Sequence, residues 1–362
     1  MDRMQWIFCL AAAVLLTGCA GSEKPAFTVR RGTNISHWLS QSDRRGEARE
    51  AWFTEQDVAF LAGLGLDHLR IPVDEEQLWD EAGEKEPEAF RLLHAGLEWC
   101  ARHNLRAIVD LHILRSHHFN EPVIRLWTDP AAQDRFVRLW RDLSEELRGY
   151  PVDRVAYELM NEAVADDPED WNRLAARAYA AIRENEPERV IVIGSNRWQI
   201  VHTFDALKVP ENDPHLLLSF HFYTPMPLTH YKAPWWRDGG EYAGPVRYPG
   251  RIVKEDDLAP YPENVRDAIR GDNGFYTRDS LEALLEKPLR KRAETGLPLY
   301  CGEWGCLPTV PETDRLAWYQ DMVTILEKHG IGWATWDYKG DFGLIDREGR
   351  PVEELIAVLL DL

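Results

Sequence analysis

The sequence predicts an α/β fold, a (β/α)8 TIM barrel in a single domain. Three observations predict it. Apolar, strand-like runs alternate with amphipathic, helix-like runs through eight repeats. Each strand run is apolar nearly throughout, as in a parallel sheet covered on both faces. No glycine-rich turn follows the first strand, which argues against an open dinucleotide-binding sheet. The chain has 362 residues, and barrels of roughly 250 to 400 residues fold as one unit.

The elements follow in order. Thr28–Ile35 reads as the first strand and Thr54–Leu64 as a helix capped by Thr54. Asp67–Val73 is the second strand, closed by Pro72. Pro87–Asn104 is an amphipathic helix, and Arg106–His112 the third strand. Pro130–Tyr150 is a helix opened by proline, a natural first-turn residue. Val155–Glu162 is the fourth strand, Pro168–Asn185 a helix and Val190–Ser195 the fifth strand. A weak, short helix near Phe204–Leu207 precedes the sixth strand, Leu216–Tyr223. Arg278–Thr295 is a helix, Leu297–Trp304 the seventh strand and Thr313–His329 a helix. Gly332–Tyr338 is the eighth strand, and Glu353–Leu362 the last helix. About 50 residues separate Tyr223 from the helix at Arg278. Connections that long are functional or disordered. Trp235, Trp236, Tyr242 and Tyr248 in this one point to an ordered wall over a site.

Composition narrows the function classes. The formal net charge is −19 with no local basic cluster, so nucleic acid is excluded as a partner while a neutral substrate is compatible. No linker, low-complexity run or fixed-period repeat breaks the chain, and no appended binding module is visible. A monomer is expected. Tryptophan is abundant: 15 residues, against about five from average usage. Indole faces stack on the apolar faces of pyranose rings. Trp99, Trp140, Trp171 and Trp318 lie in helical patterns and are expected to pack. Trp38, Trp127, Trp198, Trp235, Trp236, Trp304 and Trp336 lie at strand ends or in loops, where packing explains them less well.

The first residues read as a targeting segment. Trp6–Leu16 is apolar, too short to span a bilayer comfortably, and is flanked by Arg3 and by Thr17-Gly18-Cys19. Leu16-Thr17-Gly18-Cys19 resembles the lipobox of bacterial lipoproteins. The resemblance implies cleavage before Cys19, lipidation of Cys19 and export, with an ordinary secretory signal as the alternative. Ala20, in place of aspartate, fits sorting to the outer membrane. Residues 1–19 are then a signal, 20–27 a tether and 28–362 the catalytic domain. The body keeps Cys100, Cys301 and Cys306, an odd number that leaves at least one free thiol in a single chain. Buried, inert cysteines are expected.

In such a barrel the active site lies at the C-terminal ends of the strands. The first strand delivers Asn34 and His37 there, the second Arg70, the third His112, and the fourth Asn161 and Glu162. The sixth delivers His221 and Tyr223, the seventh Glu303 and the eighth Trp336. Period-two alternation puts Glu158, Met160 and Glu162 on one face, Cys301 and Glu303 on one, and Ser219, His221 and Tyr223 on one. Each of these faces can be the barrel interior. Glu158 falls about one layer deeper and reads as a buried partner of Arg70 or His68. Two carboxylates across a barrel mouth suit glycosidic cleavage: one protonated to assist the leaving oxygen, one ionised to attack the anomeric carbon. Arg70 near Glu303 would keep that carboxylate charged. His117 and His118 are candidates for hydrogen bonds to sugar, with a solvated loop as the alternative. As neighbours they point to opposite sides, and no third ligand has suitable spacing, so no metal is expected.

Read together, these strand ends resemble glycoside hydrolase family 5, the cellulase family of clan A. The motifs are Gly32-Thr33-Asn34, Leu69-Arg70-Ile71-Pro72, Val109-Asp110-Leu111-His112, Glu158-Leu159-Met160-Asn161-Glu162, His221-Phe222-Tyr223, Gly302-Glu303-Trp304-Gly305 and Trp333-Ala334-Thr335-Trp336. The resemblance runs from about Arg31 to Leu344. It implies a retaining enzyme without cofactor, with Glu162 as acid/base and Glu303 as nucleophile. Asn161 would bond the 2-hydroxyl of the reacting sugar. Arg70 and Tyr223 would support Glu303, His221 would face Glu162, and His112 and Trp336 would line the subsite of the cleaved sugar. Ala163 departs from the proline that many relatives carry after the acid/base.

The leading expectation is a retaining β-glycosidase on β-1,4-linked glucan or gluco-oligosaccharides. β-Mannan, manno-oligosaccharides, exo-glucosidase action and transglycosylation stay open, with Trp198, Trp235 or Trp304 able to supply an acceptor subsite. The long sixth connection favours a partly closed cleft, and hence oligosaccharides or exo action. A non-catalytic, glycan-binding surface lipoprotein is the alternative of another class. It predicts loss of a carboxylate or its supporters, and both glutamates, Arg70, Asn161 and Tyr223 are present.

Overall fold

Eight parallel strands close on themselves in the computed structural model, which describes residues 26–361. The signal segment with Cys19, and the tether as far as residue 25, lie outside the described residues. The first six barrel strands are β1 (Arg31–Asn34), β2 (His68–Val73), β3 (Arg106–Leu111), β4 (Val155–Glu158), β5 (Ile191–Gly194) and β6 (Leu216–Phe222). A small antiparallel pair, β7 (Gly250–Arg251) and β8 (Phe275–Tyr276), belongs to the sixth connection. The last two barrel strands are β9 (Leu299–Trp304) and β10 (Gly332–Thr335). Around the barrel the order is β1-β10-β9-β6-β5-β4-β3-β2.

Local chemistry sets the helix starts. Three helices open as acid–proline: Glu86 before Pro87–Arg102, Asp129 before Pro130–Leu147 and Asp167 before Pro168–Arg183. Each acidic side chain accepts a first-turn backbone N–H, from Ala89 (2.8 Å), Ala131 (2.9 Å) and Glu169 (2.9 Å) respectively. Proline sits where its missing N–H costs no helical bond. Thr54 caps Glu55–Gly63, with its own N–H donated to Asp57 at 2.8 Å. The run expected as one helix from Arg278 divides into Arg278–Ala283 and Glu286–Thr295. Pro288 falls in the first turn of the second, where a new helix start accommodates it. That helix ends on Gly296 at φ 72°, a left-handed position suited to glycine.

Two apolar layers hold the barrel. Alternate strand residues such as Ile71, Val109, Tyr157, Ile193 and Leu218 pack outward against the helices. Ile108, Ala156, Val192, Leu217, Tyr300 and Ala334 fill the lower interior, with Phe27, Val29 and Val190 packed against them. Trp140, Trp171 and Trp318 pack as expected, and Trp99 lies partly buried against the same core. Cys100, Cys301 and Cys306 are free and buried.

The sixth connection is ordered by its own elements. It carries Met226–Thr229, Glu255–Leu258, the β7–β8 pair and Glu263–Arg270. Tyr242 and Tyr248 are buried in it and hold the segment together, while half-buried Trp236 packs both on the core and on the Ala233–Leu307–Phe342 cluster that Tyr223 and Trp336 also touch.

Candidate active site

Strand alternation carries side chains inward only as far as the strands run. Above Ala156, Leu217 and Ala334 on the inner face come Glu158, Ser219 and Trp336, two residues further on. β4 ends at Glu158, four residues before Glu162. Met160 consequently packs in the outer layer, and the shared face expected for Glu158, Met160 and Glu162 does not exist. Glu162 instead takes a left-handed conformation, φ 46°. Leaving the strand lets adjacent Asn161 and Glu162 both face the site.

β9 needs a similar correction. Tyr300 points into the barrel and Cys301 out of it, so Cys301 and Glu303 do not share the interior face. Between β6 and β9 the register pairs Phe220 with Cys301 but His221 with Glu303, leaving Gly302 as an extra residue. This β-bulge shifts the alternation by one and aims Glu303 inward. Gly302 is required there: a Cβ would lie 2.8 Å from Ser219 Oγ and 3.4 Å from His221 Nε2.

Arg70 is the hub. Its side chain is fully buried, and every one of its nitrogens donates a hydrogen bond. Nε donates to Glu158 (2.7 Å), Nη1 to Asn34 Oδ1 (2.8 Å) and Glu303 Oε1 (2.8 Å), and Nη2 to Asn161 Oδ1 (2.9 Å), while Nη2 also forms an ion pair with Asp110 Oδ2 (2.9 Å). Glu158 is thus the buried partner of Arg70, and His68 bonds Asp67 and Tyr300 instead. Asn34 holds its place by donating to the Gly302 and Thr335 carbonyls.

Glu303 also accepts from Tyr223 Oη on its other oxygen, 3.0 Å. His221 Nδ1 lies 2.9 Å from Glu162 Oε1 and 3.6 Å from Glu303 Oε2. One oxygen of each glutamate and a ring nitrogen of His221 all fall within 4.8 Å of one another. The Arg70 cation bonded to Glu303 opposes a metal ion in that space.

The electrostatics separate the two glutamates. Four buried carboxyl groups, Asp110, Glu158, Glu162 and Glu303, surround one guanidinium, and Arg70 contacts all but Glu162. Burial, then the charge of Glu303, pushes Glu162 well above the usual carboxylate range. Burial also lifts Glu303, but Arg70 and the Tyr223 hydroxyl draw it back. Glu162 therefore holds a proton where Glu303 is ionised. Burial lowers His112 to about 3, so its ring is neutral. Its Nδ1–H then donates to Asp110 (2.7 Å), leaving Nε2 to accept from Gln41 (3.3 Å). The same ring stacks on Trp336, centroids 5.5 Å apart and nearly parallel.

The remaining sequence candidates divide. Trp235 is 44% exposed and lies edge-on to His230, which in turn meets Tyr223. Trp198 is 39% exposed and donates to the Phe119 carbonyl at 2.9 Å. Half-buried His118 stacks on Phe119, whose ring meets His112 edge-on. Half-buried His37 bonds the Gln41 carbonyl. Three candidates are corrected. Trp38 is fully buried against Phe53 and Trp99, its N–H on the Arg49 carbonyl. Trp304 is fully buried among Trp318, Tyr319 and Trp333, because the strand turns it outward once Glu303 faces in. His117 is buried too: its Nε2 accepts the Val164 N–H at 3.2 Å and its ring packs on half-buried Trp127, so it braces the loop after β4.

Asp110, Gln41, Gln199 and His230 enter the site without having been singled out. Asp110 was legible, two residues before His112 on the same strand face. No local pattern marks the other three.

With this geometry in view, the chain matches a family model described as cellulase (glycosyl hydrolase family 5) over residues 29–342. It is 30% identical to endoglucanase C of Acetivibrio thermocellus, over 91% of this chain and 97% of that protein. It is 28% identical to cellodextrinase A of Ruminococcus flavefaciens, over 83% of each. Among solved structures, Thermotoga maritima Cel5A in complex with cellobiose superposes with a TM-score of 0.73 at 21% identity, covering 91% of this chain and 97% of that one. The cellulose synthase subunit Z of Clostridioides difficile gives 0.74 at 20% identity, covering 92% and 99%.

Proposed function

Since the chain belongs to the cellulase family, glycosyl hydrolase family 5, we propose that it hydrolyses β-1,4-linked glucan and gluco-oligosaccharides with Glu162 as acid/base and Glu303 as nucleophile. It is a glycosidase, and the family cleaves with retention. The observation that carries the assignment is the asymmetry of the pair: Arg70 donates to Glu303 and makes no contact with Glu162. Approach of the two carboxyls to within 4.8 Å fits the short separation of retaining enzymes, about 5–5.5 Å.

In the first step a Glu303 oxygen attacks the anomeric carbon as the glycosidic C–O bond breaks. Glu162 gives its proton to the departing oxygen. In the second step Glu162, now ionised, takes a proton from water. That water attacks the same carbon and the bond to Glu303 breaks, which restores both groups. Asn161, fixed by Arg70, is suited to hold the 2-hydroxyl, and the His112–Trp336 stack to floor the subsite of the cleaved sugar. Trp198, Trp235 and His118 are the further sugar contacts. Endoglucanase and cellodextrinase relatives support glucan over mannan.

Glu303→Ala is expected to abolish turnover, with partial recovery by azide as the inverted glycosyl azide. Full activity would sink the nucleophile assignment. Glu162→Gln should slow natural glycosides far more than substrates with activated leaving groups, and equal slowing would remove the acid role. Products from glucan, mannan, xyloglucan and their oligosaccharides test the sugar. The endoglucanase relative supports internal cleavage over the exo action that a partly closed cleft favours: mixed internal fragments from glucan are expected, and release from chain ends alone would overturn this.

Cys19 carries the cellular part of the proposal. We take the chain as an exported lipoprotein, lipidated at Cys19, held at the outer membrane and acting as a monomer. Cys19→Ala should move it from the membrane to the soluble fraction. Unchanged partition would reject the anchor, and a dimer in sedimentation would reject the monomer.

A further inference from the structure

Three consecutive residues outside any glycine, Arg197, Trp198 and Gln199, adopt left-handed backbone conformations, φ 56°, 59° and 53°. L-residues visit that region singly and rarely in series. The run follows β5 and is pinned by Trp198 N–H on the Ala163 carbonyl, 3.2 Å. It throws Trp198 outward and Gln199 inward, where Gln199 is buried.

Gln199 meets the catalytic pair's surroundings on every polar atom of its side chain. Its Oε1 accepts the backbone N–H of Glu162 at 2.8 Å. Its Nε2 donates to Glu158 Oε1 and to Ser219 Oγ, each at 3.1 Å. Chemistry fixes that orientation, because the flipped amide would set a donor against the Glu162 N–H and an acceptor against a carboxylate. Its backbone carbonyl accepts the N–H of His221 at 2.9 Å. Gly194 leaves room for the amide: a Cβ there would lie 2.2 Å from Gln199 Nε2.

One residue therefore grips the main chain of both Glu162 and His221, whose side chains meet at 2.9 Å. Beyond β4 the backbone bonds to neighbouring strands end with Leu159 N–H on Val192 and Asn161 N–H on Leu111, and the N–H of Glu162 goes to the Gln199 side chain instead. We propose that Gln199 is the positioning residue of the acid/base: it sets the backbone of Glu162 relative to His221, and through Glu158 it ties that setting to Arg70. The inference rests on the reading of Glu162 as acid/base. Gln199 touches no reacting atom itself.

Gln199→Met keeps the volume and removes both hydrogen-bonding functions. General acid assistance is worth roughly 10²–10⁴-fold, so misaiming the acid should lose about tenfold or more in kcat/KM on natural cello-oligosaccharides. On dinitrophenyl cellobioside, whose leaving group needs little protonation, the loss should stay under about threefold. The basic limb of the kcat/KM profile, which reports the proton on Glu162, should also move. Gly194→Ala displaces the same amide without changing it and should reproduce both effects, which keeps the test available if Gln199→Met fails to fold. Equal losses on the two substrates with an unmoved basic limb, or no loss, would overturn the proposal. Glu162→Gln separates the two readings. If it shows the leaving-group split and the Gln199 and Gly194 variants do not, only the positioning role falls. If Glu162→Gln shows no split, the acid/base reading falls first.

Discussion

The lower and upper halves of the barrel interior are built by the same strands and do opposite things. At the bottom Ile108, Ala156, Leu217, Tyr300 and Ala334 form an apolar plug. Two residues further on, β3, β4 and β6 present Asp110, Glu158 and Ser219, and β9 bulges at Gly302. The plug gains from removing apolar surface from water. The upper layer buries four carboxyl groups around Arg70, an arrangement whose desolvation cost rivals its attraction. A barrel can carry so costly a layer because the one beneath it is apolar but for the Tyr300 hydroxyl, which His68 satisfies at 3.0 Å. The difference teaches that stability and chemistry here are stacked along one axis, not divided between domains.

The largest test of that contrast is Arg70→Met. It leaves Asp110, Glu158 and Glu303 buried without their cation, which costs about 3–5 kcal/mol. Catalysis should fall at least about 10³-fold as the stabilising charge on Glu303 disappears. Denaturant unfolding and kcat/KM read the two losses, and an inactive variant of undiminished stability would show that the charges cost the fold nothing. Next is Ile108→Ala in the plug. It should destabilise by about 2–5 kcal/mol yet leave the pH–rate profile in place. A moved profile would mean the layers are coupled.

The smallest effect is expected at Asp74, just above β2. Burial raises its carboxyl to about 7, with Oδ1 unpartnered and Oδ2 accepting the Gln41 N–H at 2.7 Å. The folded-state value lies above the unfolded one. Its contribution is therefore full below about pH 4 and is lost as pH rises through about 7. Asp74→Asn should flatten the fall in Tm over that window, and an unchanged slope would assign the pH dependence to the charges around Arg70.

How much was legible follows from which physics governed each residue. Strand and helix identities came from periodicity, a local signal, and the eight barrel strands lie where the apolar runs are. His112, His221 and Trp336 were legible because each sits at a strand end, where topology alone chooses the rim, and Arg70 because it is a lone arginine within the otherwise apolar stretch Leu69–Val73 of β2. Alternation failed at Met160 and Cys301, because it holds only while pairing holds: β4 stops and β9 bulges first. Trp38 and Trp304 were misread for a related reason. A strand-end tryptophan faces cleft or helix layer according to one residue of register, and composition is blind to that. Gln199 was invisible, since its role depends on a left-handed run that no glycine announces.

The bulge at Gly302 acts as a change of phase within one strand. Residues before it keep time with the barrel, and Glu303 keeps time with the site. A reader or designer who counted by twos through β9 would send Trp304 into the cleft and bury Glu303 beneath the helices. Deleting one residue upstream of the bulge should be more damaging than exchanging several, because composition can be repacked while phase, once lost, turns every later side chain to the wrong side.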